Sequence, residues 1–565
     1  MKTPTIFTLI FFLFIVFSWS CAAYVDDHVD DFLETYVHDH VDDFLEKSGR
    51  DNVDGFLECL KEEFDNYTSI SSLVYTPINS SFMSVLNFSI RNKRFMSDST
   101  PKPLVIITPD KESQIPTIIY CAKKNDMRIR TRSGGHDFEG RSYVAEVPFV
   151  IIDLLKLSDV TVDAEQKTAW LGAGATIGTL YYRIAEKSRT LAYPAGFSPT
   201  VGVGGHFSCG GYGILMRKYG LAADHVIDAR ITDVNGRILD RRSMGENLFW
   251  AIRGAGGASF GVILAWKVKL VDVPETVTVF TINRTLEQNA TQLIHRWQYV
   301  LPKADPNLFL RVVARRDNSS QDGRNVTIRA TFNSVFLGGI DRLLALMHEI
   351  FPELGLVRED CTEMSWIQSI LYNTALPINS TEPLLNRFQD NVGYYKGKSD
   401  YVQKPIPISG LEGIWRLFYE PEGAKAEILL TPYGGRMAEI SSSAIPFPHR
   451  AGNLYKLHHM VYWEGKDAQN EDKYISWVRR LYSYMAPYVS KYPRGAFFCY
   501  RDLDIGVNNN EGETSIGQAR VWGTKFFKKN FDRLVHVKTR VDPKNFFREE
   551  QSIPPRRQWT GKDDI

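Results

Sequence analysis

The sequence predicts an α+β protein that is divided into two or three domains. A chain of 565 residues is too long to form a single hydrophobic core. From Pro103 onward, short apolar runs typical of strands are separated by helical stretches, and three of these runs are Leu104–Thr108, Phe149–Leu154 and Val262–Leu270. The glycine-rich part of the sequence ends around Pro274, so we expect a domain boundary there.

The region that follows, to about Gly495, also mixes strands with amphipathic helices. Leu308–Arg315 has the pattern of a strand, and Asp341–Phe351 has the apolar spacing of a helix. The chain has 44% hydrophobic and 24% charged residues and a net charge of +1. This balance favours a folded globular protein with a small-molecule site, and it argues against nucleic acid or an anionic membrane as a partner. The protein is expected to be a monomer.

The first residues predict entry into the secretory pathway. The apolar run Ile6–Phe17 is shorter than the roughly 20 residues of a membrane span, and Ser18–Ala23 contains small residues suited to cleavage. Residues 1–23 are therefore expected to be a signal peptide, with a signal anchor as the alternative, and the protein is expected to be secreted or vacuolar. N-glycans are expected among eight sequons, at Asn66, Asn79, Asn87, Asn283, Asn289, Asn318, Asn325 and Asn379.

Residues 24–58 form an acidic leader in which one motif is repeated. YVDDHVDDFLE at Tyr24–Glu34 returns as YVHDHVDDFLE at Tyr36–Glu46 and in part at Asn52–Glu58. Asp and His at these spacings could bind a divalent metal, but acidic runs are more often solvated surfaces. A partly helical or disordered leader without a metal is the preferred interpretation.

Three glycine-rich segments carry the unusual chemistry of the remaining chain. They are Arg128–Tyr143, Trp170–Tyr181 and the stretch from Gly196 to Ala229, which begins GFSPTVGVGGHFSCGGYG. Glycines allow backbone N–H groups to approach an anion such as a pyrophosphate closely. None of the segments is a P-loop or a clear GxGxxG turn, so those two nucleotide-binding folds are only weakly indicated.

Together these segments resemble the berberine bridge enzyme-like flavoproteins of plants, which have the vanillyl-alcohol-oxidase type of FAD-binding fold. The similarity runs from about Cys59 to Pro555 and is greatest to the cannabinoid synthases, through SMGENLFWAIRGAGG, TPYGGRMAEI, SAIPFPHRAG, YRDLDIG and NFFREEQSIPP. The resemblance implies an FAD-binding domain at 59–275 and a substrate-binding domain at 276–495, built on an antiparallel sheet covered by helices. Residues 496–565 would return to the FAD-binding domain.

The resemblance also implies how the flavin is attached. His136 in RSGGHD stands where the family bonds an imidazole to the 8α carbon of FAD, and Gly134 and Gly135 leave this side chain accessible. Most relatives add a second link through a cysteine, but GFSPTVG has Ser198 at that position, and a hydroxyl cannot form the thioether. FAD attached through His136 only is therefore expected. Cys209, eleven residues further on, is expected to be a small packed residue rather than a replacement link.

Further flavin contacts and one disulfide follow from the same resemblance. A single link implies a weaker oxidant, and Val201 stands where relatives tune oxygen access. The other expected contacts are Arg132, Ser133, Ser142, Gly202, Gly204, Gly205, Gly210, Gly211, Gly213, Val226 and Tyr500. The family's disulfide corresponds to Cys59 and Cys121. Five cysteines follow the signal segment, so at least one is free or linked elsewhere.

The substrate side is expected to contain a tyrosine base. Tyr500 in YRDLDIG corresponds to the catalytic base of the cannabinoid synthases, although it could also be a core tyrosine. A phenol has an ordinary pKa of about 10 and becomes a useful base only if its surroundings favour the phenolate. A nearby cation is therefore expected, and Lys456 is the candidate.

Other side chains are expected near this base. In LYKLHHMVYW, His458 is two residues after Lys456 and shares its strand face, where it could act as acid or base or simply pack. Arg311 could hold a phenolate or carboxylate, or could lie at the surface. The cannabinoid synthases have other residues at the positions of Val313, Thr431 and Lys456, so cannabigerolic acid is not the expected substrate.

The expected function is an FAD-dependent oxidase of a plant phenolic or prenylated phenolic metabolite. Proton abstraction by Tyr500 and hydride transfer to flavin N5 would be followed by reaction with oxygen to give hydrogen peroxide. The alternative is the redox-neutral Diels–Alder reaction of some mulberry members, in which FAD is structural. Lys456, His458 and Arg311 would then polarise a chalcone-like dienophile for attack by a prenyl-derived diene. A carbohydrate oxidase or an inactive binder is also possible.

Overall fold

The computed structural model describes residues 51–64, 70–318, 326–388 and 393–556. The chain divides into two compact units, Met1–Leu57 and Glu58–Ile565. Of the first unit the structure describes residues 51–57, which are helical. The predicted signal peptide, most of the acidic leader, and the sequons at Asn66 and Asn325 lie outside the described residues. Within the described ranges, no helix has the length and apolar character needed to cross a membrane.

The second unit begins with helical residues 58–63, and its described residues form strands in four sheets. The strands are β1 (Val74–Tyr75), β2 (Val105–Ile107), β3 (Arg128–Arg132), β4 (Phe149–Asp153), β5 (Val160–Asp163), β6 (Thr168–Gly172), β7 (Leu191–Ala192), β8 (Val226–Thr232), β9 (Ile238–Leu239), β10 (Val262–Lys269), β11 (Val271–Asp272), β12 (Val277–Thr285), β13 (Leu308–Asn318), β14 (Val326–Phe336), β15 (Cys361–Met364), β16 (Tyr394–Val402), β17 (Ala426–Pro432) and β18 (Tyr455–Trp463).

The α-helices that follow residue 70 are numbered in chain order. They are α1 (Phe82–Phe88), α2 (Ile115–Lys124), α3 (Ile177–Lys187), α4 (Val203–Ser208), α5 (Met216–Tyr219), α6 (Arg241–Ile252), α7 (Ala290–Val300), α8 (Ile340–Ile350), α9 (Trp366–Asn373), α10 (Ile408–Phe418), α11 (Arg436–Glu439), α12 (Glu471–Tyr484), α13 (Ile516–Phe527) and α14 (Asn530–Val541). Strands and helices are therefore mixed along the chain, which confirms the predicted α+β class.

The first region of the second unit, residues 58–272, contains two larger sheets and the two-stranded sheet of β7 and β11. One has the order β1-β2-β4-β3, in which β2, β4 and β3 are parallel and β1 is antiparallel. The other is antiparallel, with the order β5-β6-β10-β8-β9. All five residues of β4 are buried, as expected for a parallel strand covered on both faces. The Cys59–Cys121 disulfide joins helical residues 58–63 to α2, as the resemblance implied.

The second region is built on a seven-stranded sheet in the order β15-β12-β14-β13-β17-β18-β16. Every neighbouring pair in this sheet is antiparallel. Helices α7, α8, α10 and α12 share one hydrophobic core with it, through side chains such as Trp297, Trp415 and Trp477. An antiparallel sheet covered by helices is therefore confirmed, and it has one face left for other contacts.

Strand β18 uses its two faces differently. Tyr455, Leu457 and Val461 belong to the helix-covered core. Lys456 and His458 point to the opposite face, where both contact the ring of Tyr500. Because side chains alternate along a strand, this one segment supplies the core and the candidate site together.

The chain after Gly495 returns to the first region. Helix α14 packs against α6. Its Lys538 ammonium is buried and donates to the carbonyl oxygen of Ser259 at 2.6 Å and to the carboxylate of Asp542 at 2.7 Å. The end of the chain is thus joined to the segment just before β10.

A buried ion cluster reinforces this return. Arg130 on β3 donates to both carboxylate oxygens of Glu550, at 2.8 and 3.0 Å, and Arg141 lies 2.6 Å from the same group. Burial raises the pKa of Glu550, but Arg130 and Arg141 outweigh this effect and hold the pKa below its ordinary value. The carboxylate is therefore charged at neutral pH and offsets part of the positive charge of two buried guanidinium groups.

Replacing Glu550 by glutamine is expected to lower the free energy of unfolding by about 3–5 kcal/mol, because Arg130 and Arg141 lose their buried counter-charge. Urea unfolding at pH 7 measures this change. Since the native pKa is lowered, this stabilisation is present above the unfolded pKa of about 4.3 and is lost as pH falls through the native pKa. As a control, Glu439→Gln removes an exposed partner of Arg436 and should change stability by no more than about 0.5 kcal/mol. If both variants lose the same free energy of unfolding, Glu550 does not stabilise the protein through the buried ion cluster.

Candidate active site

A cavity of about 410 Å³ lies where the first region, β18 and the returning C-terminal segment meet. Residues between 129 and 142 and between 196 and 212 form much of its wall. His458 of β18 and Phe497–Arg501 form another part, and Ile177, Arg548, Glu549 and several residues between 256 and 263 also contribute. Each of the three glycine-rich segments identified in the sequence therefore contributes residues to this one cavity.

Most of the predicted flavin contacts line this cavity. They are Ser133, Gly134, Gly135, His136, Ser142, Ser198, Val201, Gly202, Gly204, Gly205 and Tyr500. The structure places five others away from the wall, namely Arg132, Gly210, Gly211, Gly213 and Val226. Contact with the flavin stays a prediction for both groups of residues.

Arg132 and Gly213, two of the residues outside the cavity wall, have structural roles. Arg132 is buried, lies 2.6 Å from Asp153 and donates to the carbonyl oxygens of Val85 and Leu86. Gly213 packs so closely that a Cβ atom would come within 1.7 Å of the carbonyl oxygen of Ala195. The buried charge and this glycine are needed to pack the backbone behind the cavity.

The wall has the properties that an FAD molecule requires. Gly134 and Gly202 approach so closely that a Cβ on Gly134 would come within 2.3 Å of the Gly202 nitrogen, so bare backbone forms this part of the wall. The Ser142 hydroxyl is buried and has no hydrogen-bond partner within the described ranges, which leaves it free to bond a ligand. Apolar side chains such as Ile177 and Ile263 supply surface for a flat ring system. These features fit the cofactor.

Replacing Gly134 by alanine is expected to destabilise the protein by about 3 kcal/mol, because the added methyl group overlaps backbone that cannot move aside. FAD binding should weaken as well, since the same backbone lines the cavity. Thermal unfolding and flavin content measure the two effects. Gly393→Ala is the matched control, because no atom lies within 4 Å of its added Cβ. If Gly134→Ala has the same stability and flavin content as this control, the close approach of Gly134 to Gly202 is not needed for folding or for FAD binding.

His136 is chemically suited to bond a ligand. It is half-buried, and its Nε2 lies 2.9 Å from the Thr200 hydroxyl, so Nδ1 is the ring nitrogen left for a new bond. Burial, and next the charge of Arg91, lower the pKa of His136 to about 3. The imidazole is therefore neutral at physiological pH and retains the lone pair that a nucleophile needs.

Cys209 is not the isolated packed residue that the sequence suggested. It forms a disulfide with Cys499, which is 290 residues further along the chain, and both cysteines line the cavity. The prediction was wrong because the partner becomes a neighbour only when the C-terminal segment returns. Of the five cysteines that follow the signal segment, Cys361 is the one that forms no disulfide. Ser198 lines the cavity as predicted, with a hydroxyl in place of a thiol.

Tyr500 is paired with a second phenol. Its hydroxyl forms a hydrogen bond with that of Tyr212, and both rings are close to the Lys456 ammonium. The Lys456 nitrogen lies 3.3 Å from the ring centroid of Tyr212, 4.3 Å from that of Tyr500 and 4.2 Å from that of Phe497. This nitrogen is buried and has no hydrogen-bond partner among the described residues. The lysine that was predicted beside Tyr500 is therefore present, and it lies behind the aromatic wall of the cavity.

Burial opposes a charge on either partner of this group. It lowers the pKa of Lys456 well below the ordinary value for an ammonium. Burial, and then the neighbouring Tyr212, raise the pKa of Tyr500 well above that of a free phenol. A lone ammonium or a lone phenolate is therefore unfavourable here, and the two charges stabilise each other only when both are present.

His458 and Arg311 complete the surroundings of Tyr500. The His458 ring stacks on Tyr500 at 3.8 Å between centroids, and its Nε2 is buried without a hydrogen-bond partner in the described chain. Burial, and next Lys456, lower the pKa of His458 well below its ordinary value, so the imidazole is neutral. Arg311 lies over the ring of Phe197, with 4.6 Å from its guanidinium carbon to the ring centroid. His458 lines the cavity directly, whereas Arg311 lies behind Phe197.

Several site residues were missed in the sequence. Tyr212, Phe138, Phe197 and Cys499 all line the cavity. The position of Cys499 directly before Tyr500, together with the odd cysteine count, was a usable signal for the last of these. The aromatic residues gave no comparable local signal, because buried aromatic side chains are common throughout the chain.

Two family models match parts of the chain: an FAD binding domain at residues 103–241, and a berberine and berberine-like domain at residues 496–554. The tetrahydroberberine oxidase of Berberis wilsoniae is 52% identical over 494 residues, covering 87% of this chain and 92% of that protein. Cannabidiolic acid synthase-like 1 of Cannabis sativa is 48% identical over 506 residues, covering 88% of this chain and 92% of that protein. The solved structure of the berberine bridge enzyme-like protein 28 from Arabidopsis thaliana matches with a TM-score of 0.83 and 47% identity, covering 89% of this chain and 100% of that chain.

Proposed function

Because the chain belongs to the berberine bridge enzyme-like family of FAD-linked oxidoreductases, we propose that it oxidises a small phenolic or prenylated phenolic molecule with oxygen as the acceptor. The observation that carries this proposal is the half-buried Tyr500–Tyr212 pair beside the buried Lys456 side chain. Such a group can remove a proton from a weakly acidic hydroxyl, which is the first requirement for oxidising a phenol.

FAD would be held by the glycine-lined wall and bonded covalently through His136 alone. The free Nδ1 of this neutral imidazole supports the bond, and the Ser198 hydroxyl cannot provide the second link. When bound, FAD supplies the acceptor for the hydride that leaves the substrate and passes the electrons to oxygen as hydrogen peroxide. Val201 lines the cavity, and we expect it to influence how oxygen enters.

The chain's own residues would prepare the substrate. As the phenolate, a form that the protonated Lys456 beside it would stabilise, Tyr500 would accept the proton of the substrate hydroxyl. His458 presents an unpartnered ring nitrogen that can hydrogen-bond a second polar group of the substrate. The rings of Phe138 and Phe497 pack against Tyr500 and exclude water from this group. Together they favour a flat, largely apolar substrate that has at least one hydroxyl group.

The test is to mix the purified holoprotein with a panel of phenols and prenylated phenols, with glucose as a carbohydrate comparison. Anaerobic mixing should bleach the flavin absorbance, and admission of air should release one hydrogen peroxide for each product molecule. Product without bleaching or peroxide would contradict the oxidase and support a redox-neutral cyclisation. Bleaching by glucose alone would contradict the phenolic substrate class.

We also propose that the protein passes through the secretory pathway and carries N-glycans. Both disulfides are compatible with an oxidising compartment. Of the sequon asparagines that the structure describes, five are exposed and Asn87 is half-buried; the exposed ones are Asn79, Asn283, Asn289, Asn318 and Asn379. Expression in plant cells, followed by enzymatic deglycosylation and mass spectrometry, tests this proposal, and an unchanged mass would contradict it.

A further inference from the structure

The Cys209–Cys499 disulfide joins two irregular segments at the cavity wall. Cys209 caps the C-terminal end of α4, and Gly210 and Gly211, both with positive φ, follow it directly. Cys499 lies in a turn that belongs to no helix or strand. Segments of this kind have considerable conformational freedom unless something holds them.

The same two segments carry the phenol pair. Tyr212 lies three residues after Cys209, and Tyr500 directly follows Cys499. Their hydroxyl groups form a hydrogen bond. The two segments are therefore connected by one disulfide and by one hydrogen bond between the phenols. The position of Tyr500 relative to Lys456 therefore depends on a loop, and the disulfide is the covalent connection nearest to it among the described residues.

We propose that the Cys209–Cys499 disulfide is a positioning element that holds Tyr500 against Tyr212 and Lys456. This inference rests on the proposed function of Tyr500 as the base. A displacement of about 1 Å in a reacting group can lower a rate by about 100-fold, whereas a substrate held by an apolar wall is bound nearly as well. Loss of the disulfide should therefore lower kcat by about 10–100-fold and change KM by no more than about threefold.

The experiment compares one protein in two redox states. In the C59S/C121S variant, Cys209 and Cys499 form the sole disulfide of the described chain that a phosphine reductant can open. Both cysteines are half-buried and line the cavity, which makes them reachable. The holoenzyme is assayed before reduction, after reduction and after reoxidation by oxidised glutathione, and mass spectrometry confirms each state. A C209A/C499A variant, with Cys59–Cys121 intact, gives the same information if the first variant folds poorly.

Hydrogen exchange supplies a measurement that does not depend on turnover. Opening the disulfide should increase amide exchange in the peptides that contain Tyr212 and Tyr500, and reoxidation should reverse both this change and the loss of kcat. Removal of Cys59–Cys121 alone, the matched control, should leave exchange in these two peptides unchanged.

The outcomes separate this inference from the proposed function. Unchanged exchange in both peptides overturns the positioning role, whether or not the enzyme oxidises phenols. Increased exchange with unchanged kcat also overturns it, because the disulfide is then merely structural. If no phenol is oxidised even by the unmodified enzyme, the proposed function fails, and with it the assignment of Tyr500 as the base that the disulfide positions.

Discussion

Replacing Tyr500 by phenylalanine is expected to lower the rate of flavin reduction by about 10²–10⁴-fold, because the substrate hydroxyl loses its proton acceptor. The ring remains, so the stacking with His458 and the packing against Phe497 are kept. FAD content should therefore stay the same. Anaerobic rapid mixing with a phenolic substrate measures the rate of flavin bleaching, without interference from the later reaction with oxygen.

Tyr455→Phe is the matched control for this result. Tyr455 is buried and lies one residue before Lys456, but it belongs to the opposite face of β18, where its hydroxyl donates to Gln298 at 2.7 Å. Loss of this hydrogen bond should reduce stability by about 1 kcal/mol and leave the rate of flavin reduction within about twofold. If Tyr500→Phe retains more than a third of the original rate, the phenol is not the base.

Replacing His136 by alanine is expected to abolish covalent attachment of the flavin. After acid precipitation, the unmodified protein should retain its yellow colour in the pellet, whereas the variant should release all of its FAD into the supernatant. The physical reason is that His136 places a neutral ring nitrogen in the cavity while Thr200 occupies the other nitrogen. Absorbance of the two fractions measures the result.

His206→Ala is the control for this experiment. His206 also lines the cavity, but its Nε2 accepts a hydrogen bond from the Gly196 backbone at 3.0 Å. The His206→Ala variant should keep its flavin in the pellet. Release of flavin from this variant and not from His136→Ala would show that the wrong histidine was assigned. In the unmodified protein, a second flavin-linked peptide containing Cys209 would contradict the disulfide.

Local patterns predicted the elements of the fold with small errors in their ends. The apolar run Leu308–Arg315 became β13, which extends to Asn318, and the periodic stretch Asp341–Phe351 became α8 at Ile340–Ile350. Such predictions succeed because the alternation of apolar side chains along a strand or helix is set by backbone geometry. The ends shift because pairing and capping partners, which lie elsewhere in the chain, decide where a strand or helix stops.

The residues of the candidate site were predicted less evenly. His136 and Ser198 were found from short motifs, and both line the cavity. The role of Cys209 was predicted wrongly, because it depends on a disulfide partner, Cys499, that lies far along the chain. Tyr212 was missed for the same reason, since a tyrosine beside two glycines gains significance only from the phenol and the ammonium next to it.

The sequence by itself determined the fold class, the family resemblance and the absence of a thiol at position 198, because each depends on local patterns and motifs of neighbouring residues. The tertiary structure alone decided the Cys209–Cys499 disulfide, the pairing of Tyr212 with Tyr500 and the place of Lys456 behind them. The physical reason is distance along the chain. These contacts form only when the C-terminal segment folds back onto the glycine-rich region, and the burial that shifts the pKa values of Lys456 and Tyr500 exists only in that arrangement.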